Sequence, residues 1–168
     1  MTDVDVAAIL NQLRASGLTV AVAESLTGGQ LAAAITAVPG ASDVFRGGVV
    51  PYATDLKAAL LGVDEDLLAQ RGPVHAEVAL AMALGVARAC QADIGLATTG
   101  VAGPDPQGDC PPGLVFVAVA GPHGTKCRQE LFQGERAQIQ AASVQAALRL
   151  LGAALVPPSH RLPRQSGG

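Results

Sequence analysis

The chain has 168 residues, a formal net charge of −3 and 15% charged residues, whereas 49% of its residues are hydrophobic. This composition excludes an intrinsically disordered chain, and a globular chain near this length buries about 70% of the surface that its unfolded form exposes. Aromatic residues are rare and the only lysines are Lys57 and Lys126, so the core has to be built from Ala, Val, Leu and Ile.

Further sequence-wide features predict a cytoplasmic protein without a membrane or nucleic-acid partner. The longest segment without a charged residue, 25–42, is interrupted by Gly and Pro, so no apolar run is long enough to span a membrane. The N-terminus lacks the basic and apolar segments of a secretory signal. Three scattered cysteines favour a reducing compartment, and dispersed basic residues offer no surface for nucleic acid.

Hydrophobic periodicity predicts helices and strands that alternate along the chain. Helices are expected at 3–16, 30–38, 54–61, 64–71, 75–91 and from 134 to about 151, and strands at 19–23, 47–52, 93–99, 114–120 and 126–132. A turn at 121–125 predicts a closing hairpin and therefore a mixed sheet. The predicted fold class is α/β, a three-layer α/β/α sandwich, with one domain at 1–155 and a flexible tail at 156–168.

Three glycine-containing segments, 24–29, 99–103 and 134–136, fall at predicted strand ends or helix starts. Ligands in open α/β sheets bind at the carboxyl ends of strands, so these segments are expected to converge on one site. The polar residues 105–112, rich in Pro and Gly, predict a mobile loop over that site.

Ser25 lies between a predicted strand and a helix start, where backbone N–H groups without partners would stabilise an oxyanion. It is either a helix cap or a nucleophile. The three histidines fall in a turn, in the tail and at a helix start, which leaves Lys57 as the candidate base. Lys57 is either a solvated helix residue or a base whose pKa is lowered toward 7 to 8 by burial, the role that Arg cannot take.

Other polar residues near these segments each have two readings. The only tyrosine, Tyr52, either fills the core or positions Lys57 or a substrate ring. The segment 99–103 either lets the backbone approach a ligand or forms a tight turn. Arg136 either binds a phosphate or pairs with a carboxylate. The two aspartates of the 105–112 loop lack a third ligand, so no metal site is predicted.

Five ordered segments resemble the CinA C-terminal domain family, in its stand-alone form, whose characterised members are bacterial nicotinamide-nucleotide amidases. The resemblance covers about residues 6–151. It is carried by AESLTGG at 23–29, FRGGVVPY at 45–52 with Lys57 following, LLGV at 60–63, TGVAGP at 99–104 and FQGER at 132–136.

This resemblance implies an amidohydrolase that converts nicotinamide mononucleotide to nicotinate mononucleotide and ammonia, without metal or cofactor. Ser25 would be the nucleophile and Lys57 its base, and Tyr52 would orient this dyad or the pyridine ring. Backbone N–H groups at 27–29 would form the oxyanion hole, while 99–103 and Arg136 would hold ribose and phosphate. The expected substrate-binding residues are Thr27, Gly28, Gly29, Thr99, Gly100, Ala102, Gly103 and Arg136.

Several positions depart from the family pattern, among them Ala53, Thr54, His75, Cys110 and Gln140. The last two replace basic residues that are able to contact phosphate, which is a reason for substrate or turnover to differ from the family's. The alternative is a nucleotide-binding or partner-binding module linked to competence, with weak or no amidase activity. Exposed aliphatic residues on an Ala-rich helix make a homodimer the expected oligomer, unless they are ordinary surface.

Overall fold

The structure is a computed structural model that describes residues 3–156. Its five strands are β1 (Val20–Glu24), β2 (Phe45–Val49), β3 (Ile94–Gly100), β4 (Leu114–Gly121) and β5 (Gly124–Leu131). They form one sheet in the order β2-β1-β3-β4-β5. β1 pairs in parallel with β2 and β3, whereas the β3–β4 and β4–β5 pairs are antiparallel, which confirms the predicted mixed sheet.

Helices cover both faces of this sheet. They are α1 (Val6–Ser16), α2 (Gln30–Thr36), α3 (Thr54–Leu61), α4 (Glu65–Arg71), α5 (Ala76–Ala89) and α6 (Arg136–Ala154). α1, α2 and α6 pack on one face and α3, α4 and α5 on the other, so the α/β/α layering is confirmed. None of the helices in residues 3–156 combines the length and apolarity needed to cross a membrane.

Several predicted boundaries are wrong by a few residues because local backbone chemistry overrides periodicity. α1 begins at Val6 because the Asp5 side chain accepts a hydrogen bond from the Ala8 N–H, at 2.9 Å. β2 ends before Pro51, which has no N–H to donate to a strand ladder. β5 begins at Gly124 because the hairpin turn contains only two residues. Of the expected tail, 156–168, only Val156 lies within the described residues.

The two faces of the sheet carry side chains of different size. Toward α1, α2 and α6 the strands present mainly branched residues, namely Val20, Val22, Ile94, Leu96, Val115, Val117 and Val119. Toward α5 they present mainly small ones, namely Ala21, Ala23, Ala97, Ala118 and Ala120. A Cβ at Gly95 would overlap the Ala83 carbonyl of α5, so the helix backbone lies directly against the strand. Close approach thus fills a core that contains few aromatic rings.

Gly95→Ala should destabilise the protein by about 3 kcal/mol or more, because the added methyl group forces α5 away from β3. Gly152→Ala is the matched control, since its Cβ would lie 3.5 Å from the Ile9 side chain, an ordinary contact. This second change should stabilise α6 by about 0.5–1 kcal/mol. Urea unfolding of both variants measures the difference. Equal stability of the two variants would contradict the close packing of α5.

Candidate active site

The three glycine-containing segments converge on one pocket at the carboxyl ends of β1 and β3. The pocket encloses about 210 Å³. It is lined by Ser25, Leu26, Tyr52, Lys57, Pro73, Val74, Thr99, Gly100, Val101, Ala102, Gly103, Asp105, Gln107 and Arg136. The predicted convergence of these segments is therefore observed, and the 105–112 loop lies beside the pocket as expected.

Ser25 and Lys57 are in direct contact in this pocket. The Lys57 Nζ group donates to Ser25 Oγ at 3.2 Å and to the Pro51 carbonyl at 2.8 Å. Lys57 is 1% exposed and Ser25 is 9% exposed. Ser25 follows β1 directly, and Lys57 projects from the middle of α3. The Pro51 carbonyl holds the Nζ atom in place, so the orientation of the lysine does not depend on the serine alone.

Burial lowers the pKa of Lys57 from its ordinary value of 10.5 to about 8, and the nearby Asp55 carboxylate acts in the opposite direction. The cause is desolvation, because the protonated amine loses the water that stabilises its charge. A much larger fraction of Lys57 than of an ordinary lysine is therefore neutral near pH 7, although the protonated form still predominates there. A neutral amine at hydrogen-bond distance from a serine hydroxyl can accept its proton.

Glu24, which the sequence analysis did not identify, holds the turn that carries Ser25. Its carboxylate is fully buried at the start of α2. It accepts hydrogen bonds from the backbone N–H groups of Gly29, Leu31 and Ala32, at 3.1, 2.9 and 2.8 Å, and from the Thr27 hydroxyl at 2.6 Å. The available sequence signal was a helix start whose N-cap, Gly29, offers no side-chain acceptor.

Gly28 and Gly29 do not face the pocket with free N–H groups. The Gly28 N–H donates to the Ser25 carbonyl at 3.1 Å, and the Gly29 N–H donates to Glu24. Both have positive φ angles, 56° and 101°, so glycine is required there by the turn and not by a ligand. Thr27 is fully buried, and its hydroxyl also contacts the Thr98 hydroxyl at 2.8 Å. The expected oxyanion hole at 27–29 is therefore wrong for Gly28 and Gly29, whose N–H groups are bonded within the turn.

Tyr52 contacts Arg136 instead of the dyad. The Arg136 guanidinium donates to the Tyr52 hydroxyl at 2.7 Å and to the Gly103 carbonyl at 3.0 Å. Arg136 therefore links the start of α6, the segment before α3 and the loop after β3. Lys57 is positioned by the Pro51 carbonyl, so the expectation that the Tyr52 hydroxyl positions Lys57 is corrected.

The segment after β3 is shaped mainly by its own strand neighbours. The Thr99 hydroxyl donates to the Pro73 carbonyl at 2.7 Å, which joins this segment to the residues before α5. A Cβ at Gly100 would lie 2.6 Å from the Leu114 carbonyl oxygen, so glycine is required there by the approach of β4. Ala102 and Gly103 line the pocket between Gly100 and Arg136.

The positions that depart from the family pattern lie around the pocket, not in it. Gln140 on α6 donates to the Leu26 carbonyl at 2.8 Å and accepts from Gln30 at 3.1 Å, so it supports the serine-bearing turn. The Cys110 thiol lies 3.8 Å from the Val74 carbonyl. His75 is the N-cap of α5. Ala53 caps α3 without a side-chain bond, and Thr54 begins that helix.

The part of the chain that the structure describes contains no group of three or more His, Cys, Asp or Glu side chains arranged for a metal ion. The polar groups that line the pocket are instead a hydroxyl, an amine, a guanidinium, a carboxylate and an amide. The last two belong to Asp105 and Gln107, which lie in the loop predicted over the site but were not individually predicted as binding residues. Pro73 and Val74 were also missed, because they approach the site only through tertiary packing.

The buried amine should make stability depend on pH. Between about pH 8 and 10.5 the unfolded chain retains the Lys57 proton and the folded chain has lost it, so the free energy of unfolding should rise with pH. Lys57→Met should lack this contribution, and Lys126→Met, which removes an exposed lysine, should retain it. Urea unfolding from pH 7 to 10 measures the difference. Identical pH dependence in wild type and Lys57→Met would contradict the lowered pKa.

The family model for the CinA C-terminal domain matches residues 4–155. A CinA-like protein of Frankia casuarinae is 52% identical over 143 residues, which cover 85% of this chain and 33% of the relative. A CinA-like protein of Gloeobacter violaceus is 50% identical over 139 residues, covering 81% and 33%. The chain thus spans about a third of the length of these curated relatives.

Solved structures of the same superfamily have the same fold. The competence/damage inducible protein CihA of Agrobacterium tumefaciens superposes with a TM-score of 0.85 at 35% identity, covering 89% of this chain and 92% of that one. A CinA superfamily protein of Escherichia coli gives a TM-score of 0.85 at 29% identity, covering 90% and 88%. On the match over residues 4–155 and these likenesses, the chain belongs to the CinA C-terminal domain family.

Proposed function

We propose that the pocket hydrolyses the carboxamide of nicotinamide mononucleotide to nicotinate mononucleotide and ammonia. The observation that carries this proposal is the 3.2 Å contact between Ser25 Oγ and a buried Lys57 amine whose pKa is lowered to about 8. Family membership and the arginine at the pocket rim support the choice of a mononucleotide amide. Whether the whole protein has this activity is part of the proposal.

In the first half of the proposed reaction, neutral Lys57 accepts the Ser25 hydroxyl proton while Oγ attacks the amide carbon. The Pro51 carbonyl accepts one amine hydrogen, which leaves the nitrogen lone pair available to the serine. Lys57 then returns a proton to the departing nitrogen, and ammonia leaves an ester on Ser25. In the second half, Lys57 accepts a proton from water, whose oxygen attacks the ester carbon. Lys57 returns that proton to Ser25 Oγ as the ester bond breaks, and the product acid loses its own proton to solvent and leaves as the carboxylate.

The negative charge on the amide oxygen needs N–H donors that are not already bonded. The Ser25 N–H donates to the Thr98 carbonyl at 2.9 Å, and those of Gly28 and Gly29 are bonded within the turn. Within residues 3–156, the Leu26 N–H has no acceptor, and Leu26 lines the pocket. Leu26 follows the nucleophile directly, so its N–H is the proposed oxyanion donor. Thr27 is fully buried outside the pocket lining and is not assigned this role.

The pocket walls suit the three parts of a pyridine mononucleotide. Val74 and Leu26 offer apolar surface for the ring beside the dyad. Asp105 and Gln107 on the loop can accept hydrogen bonds from ribose hydroxyls. Arg136 donates hydrogen bonds to the Tyr52 hydroxyl and the Gly103 carbonyl. Its remaining N–H groups and its positive charge are available to bind the phosphate.

The proposed dyad predicts that Ser25→Ala and Lys57→Ala each lower ammonia release from nicotinamide mononucleotide by about 10³-fold or more. Lys57→Arg should be as inactive as Lys57→Ala, because arginine keeps the charge but cannot accept the proton. Lys126→Arg, the same change at the other lysine, should retain full activity. The wild-type rate should rise with pH and level off above about 8, where Lys57 is neutral.

Ammonia and nicotinate mononucleotide are measured together, so that release of ammonia from another source is not counted. Full activity of Ser25→Ala would refute the mechanism. Calorimetric binding of the mononucleotide without any product would instead identify the nucleotide-binding module that is the alternative function.

Arg136→Met should reduce the preference for nicotinamide mononucleotide over nicotinamide riboside, which lacks the phosphate, by about tenfold or more. Tyr52→Phe removes the hydroxyl that Arg136 contacts but keeps the guanidinium, so it should retain that preference. The measurement is kcat/KM of each variant with both substrates. An equal loss on both substrates in Arg136→Met would assign Arg136 to positioning the pocket walls and not to phosphate binding.

A further inference from the structure

β5 leaves one edge of the sheet open. It pairs with β4 on one side only and is the last strand in the sheet order. In the part of the chain that the structure describes, no strand pairs with β5 on its other side. Leu131 is 59% exposed at this edge. An open strand with an exposed apolar residue is a surface onto which another strand can pair.

The hairpin register shows which residues of β5 point outward. The two-residue turn makes Gly121 and Gly124 a hydrogen-bonded pair, and such pairs recur at every second residue along an antiparallel ladder. Lys126, Arg128 and Glu130 therefore bond to β4. The odd-numbered residues from Thr125 to Leu131 direct both backbone groups toward the open edge.

Side chains alternate between the two faces of β5. Cys127 packs into the core on the α5 side, so the odd-numbered side chains share that face. Lys126, Arg128 and Glu130 lie together on the α6 side, and the first two are exposed. On that face, a strand that pairs with β5 therefore lies beside two positive side chains followed by one negative side chain.

Antiparallel pairing of β5 with itself has few symmetric registers, which differ in overlap and in charge. An axis at Thr125 or Leu131 leaves most of β5 unpaired, because it lies at or near a strand end. A two-fold axis at Lys126, Arg128 or Glu130 places that residue opposite its own copy, and an axis at Cys127 places Lys126 opposite Arg128. An axis at Gln129 creates two Arg128–Glu130 pairs, one in each direction. In this register no two like charges lie opposite each other. The Arg128–Glu130 pairs are then of the non-hydrogen-bonded type, in which facing side chains approach most closely.

We infer that a second copy of this chain pairs with this edge, β5 against β5, with the two-fold axis at Gln129. The two sheets join into one continuous ten-stranded sheet. On the α6 side, each Arg128 pairs with Glu130 of the other copy. On the α5 side, each exposed Leu131 lies opposite Cys127 of the other copy and is covered by the pairing. The interface is thus a strand edge and not the Ala-rich helix expected from the sequence.

Sedimentation velocity across a wide range of protein concentrations tests this arrangement on the full chain. The wild type should form a species of twice the 16.8 kDa chain mass. Arg128→Glu and Glu130→Arg should each weaken dimerisation by about tenfold or more, because each creates two like-charge pairs. The double variant with both changes should restore the dimer, since it exchanges the charges without removing a pair.

Lys126→Glu is the matched control, because Lys126 faces no charged residue in the proposed register. It should leave the dimer intact, whereas an axis at Arg128 would make Lys126→Glu disruptive. A monomeric wild type, a dimer unaffected by Arg128→Glu, or a double variant that stays monomeric would each overturn the proposal. Amide exchange of Gln129 that slows as protein concentration rises would support it.

Discussion

The Glu24 carboxylate is the interaction on which the site depends. Glu24 is the last residue of β1. Its carboxylate accepts hydrogen bonds from three backbone N–H groups at the start of α2 and from one hydroxyl. A helix start carries partial positive charge and N–H groups without intrahelical partners, so a buried anion is stabilised there without a cationic side chain. The turn between β1 and α2 is thereby fixed, and Ser25 is presented at the carboxyl edge of the sheet.

Lys57 contacts Ser25 in this turn, and burying its amine lowers the stability of the folded protein. A buried amine loses hydration, and among residues 3–156 only the Pro51 carbonyl and the Ser25 hydroxyl replace it. This cost is what lowers the pKa of Lys57 to about 8, so the same burial that weakens the protein prepares a base. The small residues on the α5 face of the sheet contribute indirectly, because they allow the helices on that face to lie close to β1 and β3.

Much of the architecture follows from local pattern. Hydrophobic periodicity and the positions of Gly and Pro predict the order and type of the main helices and strands. The family resemblance assigns Ser25 and Lys57 as the dyad. What could not be predicted were partners distant in sequence. Gln140 reaches the Leu26 carbonyl, and Arg136 reaches both Tyr52 and Gly103. Each contact joins segments separated by tens of residues, and no local pattern encodes such a distance.

The sequence by itself determined the layered α/β fold, the family and the pair of residues that form the proposed dyad, because these depend on periodicity and on ordered local motifs. Only the tertiary structure decided how those residues act. It assigned the glycines at 28–29 to the turn and not to a ligand, and gave the burial of Lys57 that lowers its pKa. The reason is physical: burial and hydrogen-bond partners are properties of packed surfaces, which exist only once the segments have come together.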